Sequence, residues 1–143
     1  MTNGFKIIGI SIRTKNANNQ AQQDLGKLWR QFYSENIIAK IPNKISSSIL
    51  AIYTDYESDY AGEYTAIIGV PVSTLDEIPS GFVGREFEAD TFRKFVAKGE
   101  MPQAVADTWG DIWQQDKELN RKYSYDFEIH DGSDEVEILI AVK

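Results

Sequence analysis

Cysteine is absent from the 143 residues and histidine occurs once. The missing thiols exclude disulfides, zinc thiolates and cysteine nucleophiles, and leave the compartment unreadable from redox chemistry. The single histidine, His130, stands among acids, and no serine occupies a Gly-x-Ser-x-Gly elbow, so serine–histidine–carboxylate acyl transfer finds no support. Basic charge is scarce: 15 Lys+Arg against 22 Asp+Glu give a net charge of -7. That balance works against attraction to phosphate backbones and anionic lipid, so a cation is a more natural partner than nucleic acid. Long apolar runs are missing too, both at membrane-spanning length and as a leader behind Met1, and a cytoplasmic protein without membrane association is the expectation.

Several motifs are also lacking. Gly81 and Gly84 form no dinucleotide fingerprint and no Walker loop exists, so no nucleotide cofactor is expected. Asp126, Glu128, His130, Asp131 and Asp134 match neither an EF-hand loop nor a His-Glu-x-x-His pattern, and no metal site is expected.

What is present is the composition of one globular domain over residues 1–143, 42% hydrophobic and 12% aromatic. Ile8, Ile10 and Ile12 recur at period two, predicting a half-buried strand over 5–15. Asn18-Asn19 are candidate N-caps, with Gln22 in a capping-box position; Ala21, Leu25, Leu28, Trp29 and Phe32 then form one helical stripe. The runs 49–56 and 63–70, separated by turn formers, predict a hairpin.

The order then recurs. A strand-like stretch runs from Phe82 into Phe87 and on to Val96; after Lys98-Gly99, Pro102 suits a helix start. Val105, Trp109, Ile112 and Trp113 align on that helix, and 126–140 reads as a closing hairpin. The fold class expected is α+β: β-α-β-β written twice, about 1–75 and 80–143, with an antiparallel sheet, two main helices and a cleft along the pseudo-two-fold axis.

Candidate site residues follow from that plan. Trp29 and Phe32 on one helix, and Trp109 and Trp113 on the other, either fill core or wall the cleft. Tyr53, Tyr56, Tyr60 and Tyr64 in the first hairpin, with Tyr123 and Tyr125 before the last, reflect strand propensity or an aromatic cage for an organic cation. In 125–130, Tyr125, Phe127 and Ile129 share one face, leaving Asp126, Glu128 and His130 on the other. Alternation alone makes that second face solvent and His130 a surface residue. A Glu128 pointing into a cleft would instead need a cationic partner. Asp131, Asp134 and Glu135 read as turn residues that keep the hairpin solvated.

The repeated order, with "GEYTAIIGVPV", "FVAKGEMPQAVADTWGDIW" and "YDFEIHDGSDEVEILIAVK", resembles the GyrI-like effector-binding family across essentially the whole chain. That family includes the ligand-binding half of AraC-type and MerR-type multidrug-responsive regulators as well as stand-alone proteins. The resemblance implies a pocket for hydrophobic, often cationic, small molecules. It implies a deep glutamate at Glu128, a second acidic position at Glu137, and aromatic walls at Tyr64, Trp109 and Trp113. The regulators carry a helix-turn-helix region ahead of this domain, whereas here the first strand starts near Phe5, so no direct DNA binding is expected.

Three functions are compatible with these readings. The leading one is uptake of a lipophilic or cationic molecule, with a regulatory or sequestering role. The resemblance also implies a hydrolase of strained-ring alkylating natural products that would use the same Glu128. A gyrase-inhibitor-like role with a protein partner rests on acidic charge and on the family.

Overall fold

A computed structural model describes residues 4–17, 19–59, 61–100 and 103–143. Asn18, Tyr60 and Pro102, named above, lie outside the described residues. In chain order the elements are β1 (Phe5–Lys15), α1 (Gln20–Ser34), α2 (Ile37–Lys40), β2 (Ile49–Thr54), β3 (Glu63–Val72), β4 (Val83–Phe87), β5 (Phe92–Lys98), α3 (Gln103–Gln114), α4 (Asp116–Leu119), β6 (Arg121–His130) and β7 (Glu135–Val142). The seven strands form one sheet in the order β4-β1-β3-β2-β6-β7-β5, with every neighbouring pair antiparallel. The fold is α+β, two β-α-β-β units (β1-α1-β2-β3 and β5-α3-β6-β7) joined through β2 and β6, with β4 an additional edge strand on β1.

The stretch expected as one strand from Phe82 to Val96 is two strands at opposite edges of the sheet. β4 pairs with β1 and β5 with β7, and residues 88–91 alone connect them. Laid flat, seven strands would hold their edges about 29 Å apart, while that connection spans at most about 18 Å. The sheet therefore curls until its edges approach across one face. Gly9 and Gly69, paired on β1 and β3, accommodate a close crossing: a Cβ would lie 2.1 Å from the Ile68 oxygen in one case and 2.3 Å from the Ile8 oxygen in the other.

The inside of the curl is a closed core of Ile7, Leu50, Ile52, Ile67, Phe87, Tyr125, Phe127 and Leu139, with Phe5 and Phe92 packed against it. Phe87 and Phe92 come from the two edges, and their rings lie 4.7 and 5.3 Å from that of Tyr125. The Tyr125 hydroxyl donates to the Glu88 carbonyl at 2.5 Å, tying the connection to β6.

Both long helices lie on the opposite face. α1 buries Leu28 and Phe32 against Ile8, Ile10, Ile68 and Val70, as its apolar spacing dictates. α3 buries Ile112 against Ile138 and Ile140. The capping box is not formed: Asn19 is left-handed (φ 60) and its side chain caps nothing, while Gln22 points elsewhere, into the cavity described next. Asp24 instead anchors the first turns of α1, accepting from Thr14 Oγ1 of β1 at 2.8 Å.

Candidate functional site

α1 covers β1 and β3, α3 covers β5 and β7, and the seam at β2 and β6 is left between them. Over that seam lies a cavity of about 800 Å³. Leu25 and Trp29 of α1 form one wall, and Val105, Trp109 and Trp113 of α3 the other; Tyr53 of β2, Tyr64 of β3, and Glu128 and His130 of β6 supply the floor. The volume falls within the range of small-molecule sites, and the lining has their usual form, mostly apolar surface with a few convergent polar groups.

Glu128 is 3% exposed. It reaches the cavity because its strand neighbours are Ala51 on β2, which has a side chain too small to cover it, and Ile138 on β7, which packs under α3. Its Oε2 accepts from Tyr53 Oη at 2.9 Å and from Trp109 Nε1 at 2.7 Å. Its Oε1 lies 2.8 Å from His130 Nε2. The Tyr53 ring stands edge-on to both Tyr64 and Trp109, with centroids 5.8 and 5.5 Å away. Neighbouring rings thus lock the donors that hold the carboxylate.

Burial pushes the Tyr53 phenol well above its usual range, and the adjacent Glu128 charge pushes it further. Tyr64 is raised by the same two causes in the same order. Both are neutral donors at physiological pH. Tyr64 donates to Asn16 Oδ1 at 2.8 Å at the rim.

The face carrying Asp126, Glu128 and His130, expected from alternation to be solvent, lies beneath the helices. Asp126 is fully buried and accepts from Arg121 Nη2 at 2.7 Å, Tyr56 Oη at 2.5 Å and the Ala141 amide at 2.9 Å. Burial raises its pKa, opposed by Arg121 and these hydrogen bonds. Arg121 Nη1 also reaches Asp116 at 3.3 Å, so the only Lys or Arg lining the cavity among the described residues is already bound to two carboxylates. His130, expected on the surface, has its side chain 25% exposed and lines the cavity, because it shares the side of the strand on which Glu128 sits.

The structure brings together Glu128, Trp109, Trp113, Tyr64, Tyr53 and Trp29. It does not bring Glu137 to them. Glu137 has the opposite parity on β7 from Ile138 and Ile140, which face the helices, and it pairs with Lys94 at 3.7 Å on the far side of the sheet. Sequence reasoning missed His130 and Arg121 as lining residues. Strand parity with Glu128 was a usable signal for His130. Arg121 carried none, since three extra residues bulge β6 between it and Asp126, displacing it from simple alternation.

A curled antiparallel sheet with two helices flanking an aromatic cleft is the architecture of the GyrI-like effector-binding proteins. Within that class the chain belongs to the Cass2 family of integron-associated effector-binding proteins, whose pattern matches residues 1–142. It is similar to the integron cassette protein VCH_CASS2 from the mobile metagenome of Vibrio cholerae, at 32% identity over 99% of this chain and 92% of that one, TM-score 0.79. It is 28% identical to YobU of Bacillus subtilis (strain 168), described as a putative transcriptional regulator, over 96% of this chain and 92% of YobU. The fold alone is shared with SAV2435, solved with bound tetraphenylphosphonium, at 24% identity over 99% of this chain and 90% of that one, TM-score 0.79. Membership of this family makes the chain a small-molecule effector-binding protein.

Proposed function

We propose that the cavity takes up hydrophobic organic cations, with Glu128 as the countercharge and the rings of Trp109, Trp113, Trp29, Tyr53 and Tyr64 as walls. The observation that carries this reading is a 3%-exposed carboxylate held by two neutral aromatic donors at the bottom of a cavity of about 800 Å³. A carboxylate removed from water loses several kcal/mol of solvation, and hydrogen bonds from a phenol and an indole restore only part of it. An arriving cation supplies the remainder, and the ring faces add attraction for positive charge. The tetraphenylphosphonium bound by SAV2435 is a ligand of this chemistry.

Affinity would come chiefly from burying ligand area at about 25 cal/mol per Å², and the carboxylate would select for charge. In the cell such uptake serves sequestration, or regulation through a partner protein.

The test is titration with tetraphenylphosphonium, followed by tryptophan fluorescence, in wild type and Glu128→Gln. The glutamine keeps an acceptor for Tyr53 and Trp109 and removes only the charge. Cation affinity is expected to drop by about tenfold or more, roughly 1.4 kcal/mol, while triphenylmethanol, neutral and aromatic, binds both proteins alike. Equal loss for both ligands would remove charge selection from Glu128.

A further inference from the structure

We infer that His130 is a built-in competitor for Glu128, so that capture of an organic cation is coupled to release of one proton. The inference rests on the reading that cations enter this cavity, and it names what occupies the carboxylate before they arrive.

His130 follows Glu128 on the same side of β6, and its Nε2 lies 2.8 Å from Glu128 Oε1, the oxygen that Tyr53 and Trp109 leave unclaimed. The imidazole centroid is 4.9 Å from the Trp29 ring. A protonated His130 therefore makes both contacts an organic cation would seek, a buried carboxylate and an aromatic ring. Its side chain is 25% exposed, enough to exchange protons with solvent, whereas Glu128 is closed to it. It is the one histidine of the chain, and histidine is the side chain that changes charge near neutrality without special perturbation.

The other groups around it leave this role to His130. α1 brings Trp29 and Tyr33 and no charged side chain to the cavity wall. β2, β3 and α3 bring Tyr53, Tyr64 and Trp109, neutral at physiological pH. Arg121 is bound to Asp126 and Asp116. Asp131, next in sequence, is exposed and accepts from the Ser133 amide.

The sign follows directly. Protonated His130 pairs with Glu128 and cancels the charge that attracts the ligand. A cation seated at Glu128 repels a second positive charge, so the imidazole gives its proton to solvent on binding. Cation affinity then rises with pH through the histidine titration and levels off above it, with a slope approaching about tenfold per pH unit on the acid side.

Two measurements test this. The imidazole nitrogens are observed by NMR in the ligand-free protein, wild type and Glu128→Gln; removing the carboxylate is expected to change the Nε2 signal that reports its hydrogen bond, and identical spectra overturn the pairing. Tetraphenylphosphonium binding is then measured calorimetrically between pH 5.5 and 8 in buffers of different ionisation enthalpy, for wild type and His130→Gln. Wild type is expected to release a proton and weaken on acidification, and the variant to lose the histidine-range slope. Binding without proton release, or the same slope in both proteins, overturns the coupling while leaving cation uptake standing. No binding at any pH overturns cation uptake and the coupling with it.

Discussion

The two faces of the sheet carry aromatic clusters of similar make-up and opposite design. Inside the curl, Phe5, Phe87, Phe92, Tyr125 and Phe127 pack against one another and fill their space, and the one phenol there sends its hydroxyl outward to the Glu88 carbonyl. Beneath the helices, Tyr53, Tyr64, Trp29 and Trp109 surround an opening, and Tyr53 and Trp109 turn their polar ends inward to one carboxylate. Rings alone make a core. Rings held apart by two helices and pinned by an acid make a site. The same strand serves both, since Tyr125 and Phe127 point one way and Glu128 and His130 the other.

The largest effect that separates the faces comes from truncating each. Phe127→Ala empties a fully buried position and is expected to destabilise the fold by about 3–5 kcal/mol in urea denaturation. Trp109→Phe keeps a ring in the half-buried wall but deletes the donor to Glu128; a stability loss of about 1 kcal/mol is expected, with cation affinity down about tenfold. If the two variants lost stability equally, the cavity face would be as tightly packed as the core.

A smaller effect separates the phenols. Burial pushes Tyr125 up to about 12. Tyr53 is also raised well above its usual range, by burial first and by the adjacent Glu128 second. Raised folded-state values mean that both contribute stability fully present below the unfolded phenol pKa of about 10 and lost as pH rises through the folded values. Tyrosinate absorbance should show Tyr53 and Tyr125 both resisting ionisation above the ordinary phenol range until the fold is lost in alkali. Glu128→Gln is expected to bring Tyr53 down and leave Tyr125 where it is.

The smallest effect is expected at Glu137. Its pairing with Lys94 is half exposed, so Glu137→Gln should alter stability by under about 0.5 kcal/mol and cation affinity not measurably. A loss matching that of Glu128→Gln would place the acidic selectivity outside the cavity.

Much of this arrangement was readable from local pattern. The period-two isoleucines of β1 and the stripes of α1 and α3 mark the faces that meet in the structure, although Ile7 is buried too, so β1 is covered on both sides where period two predicted a half-buried strand. Glu128 was singled out through the family resemblance, because alternation by itself assigned its face to solvent. Glu137 was drawn in by the same resemblance. Its exclusion is a matter of parity: one residue along a strand reverses the face, and Ile138 was the position facing the helices.

Residues 82–96 show where local pattern runs out. Both β4 and β5 have strand character, yet nothing local says that the four residues between them bridge opposite edges of the sheet. That decision belongs to pairing partners far away, to β1 for one strand and β7 for the other. It also explains the two buried faces of β6. Alternation reports how side chains are divided between two sides; which side meets water depends on what else folds over it.

By itself, then, the sequence determined the segments apart from the break between β4 and β5, the helix stripes, the duplicated order and the sharing of one strand face by Asp126, Glu128 and His130. The tertiary structure alone decided that the sheet curls, that helices roof this face, that Arg121 cancels Asp126, and that His130 rests on Glu128. The reason is physical: periodicity is set by backbone geometry within a few residues, whereas burial and the partner of a charge are set by contacts between segments distant in the chain.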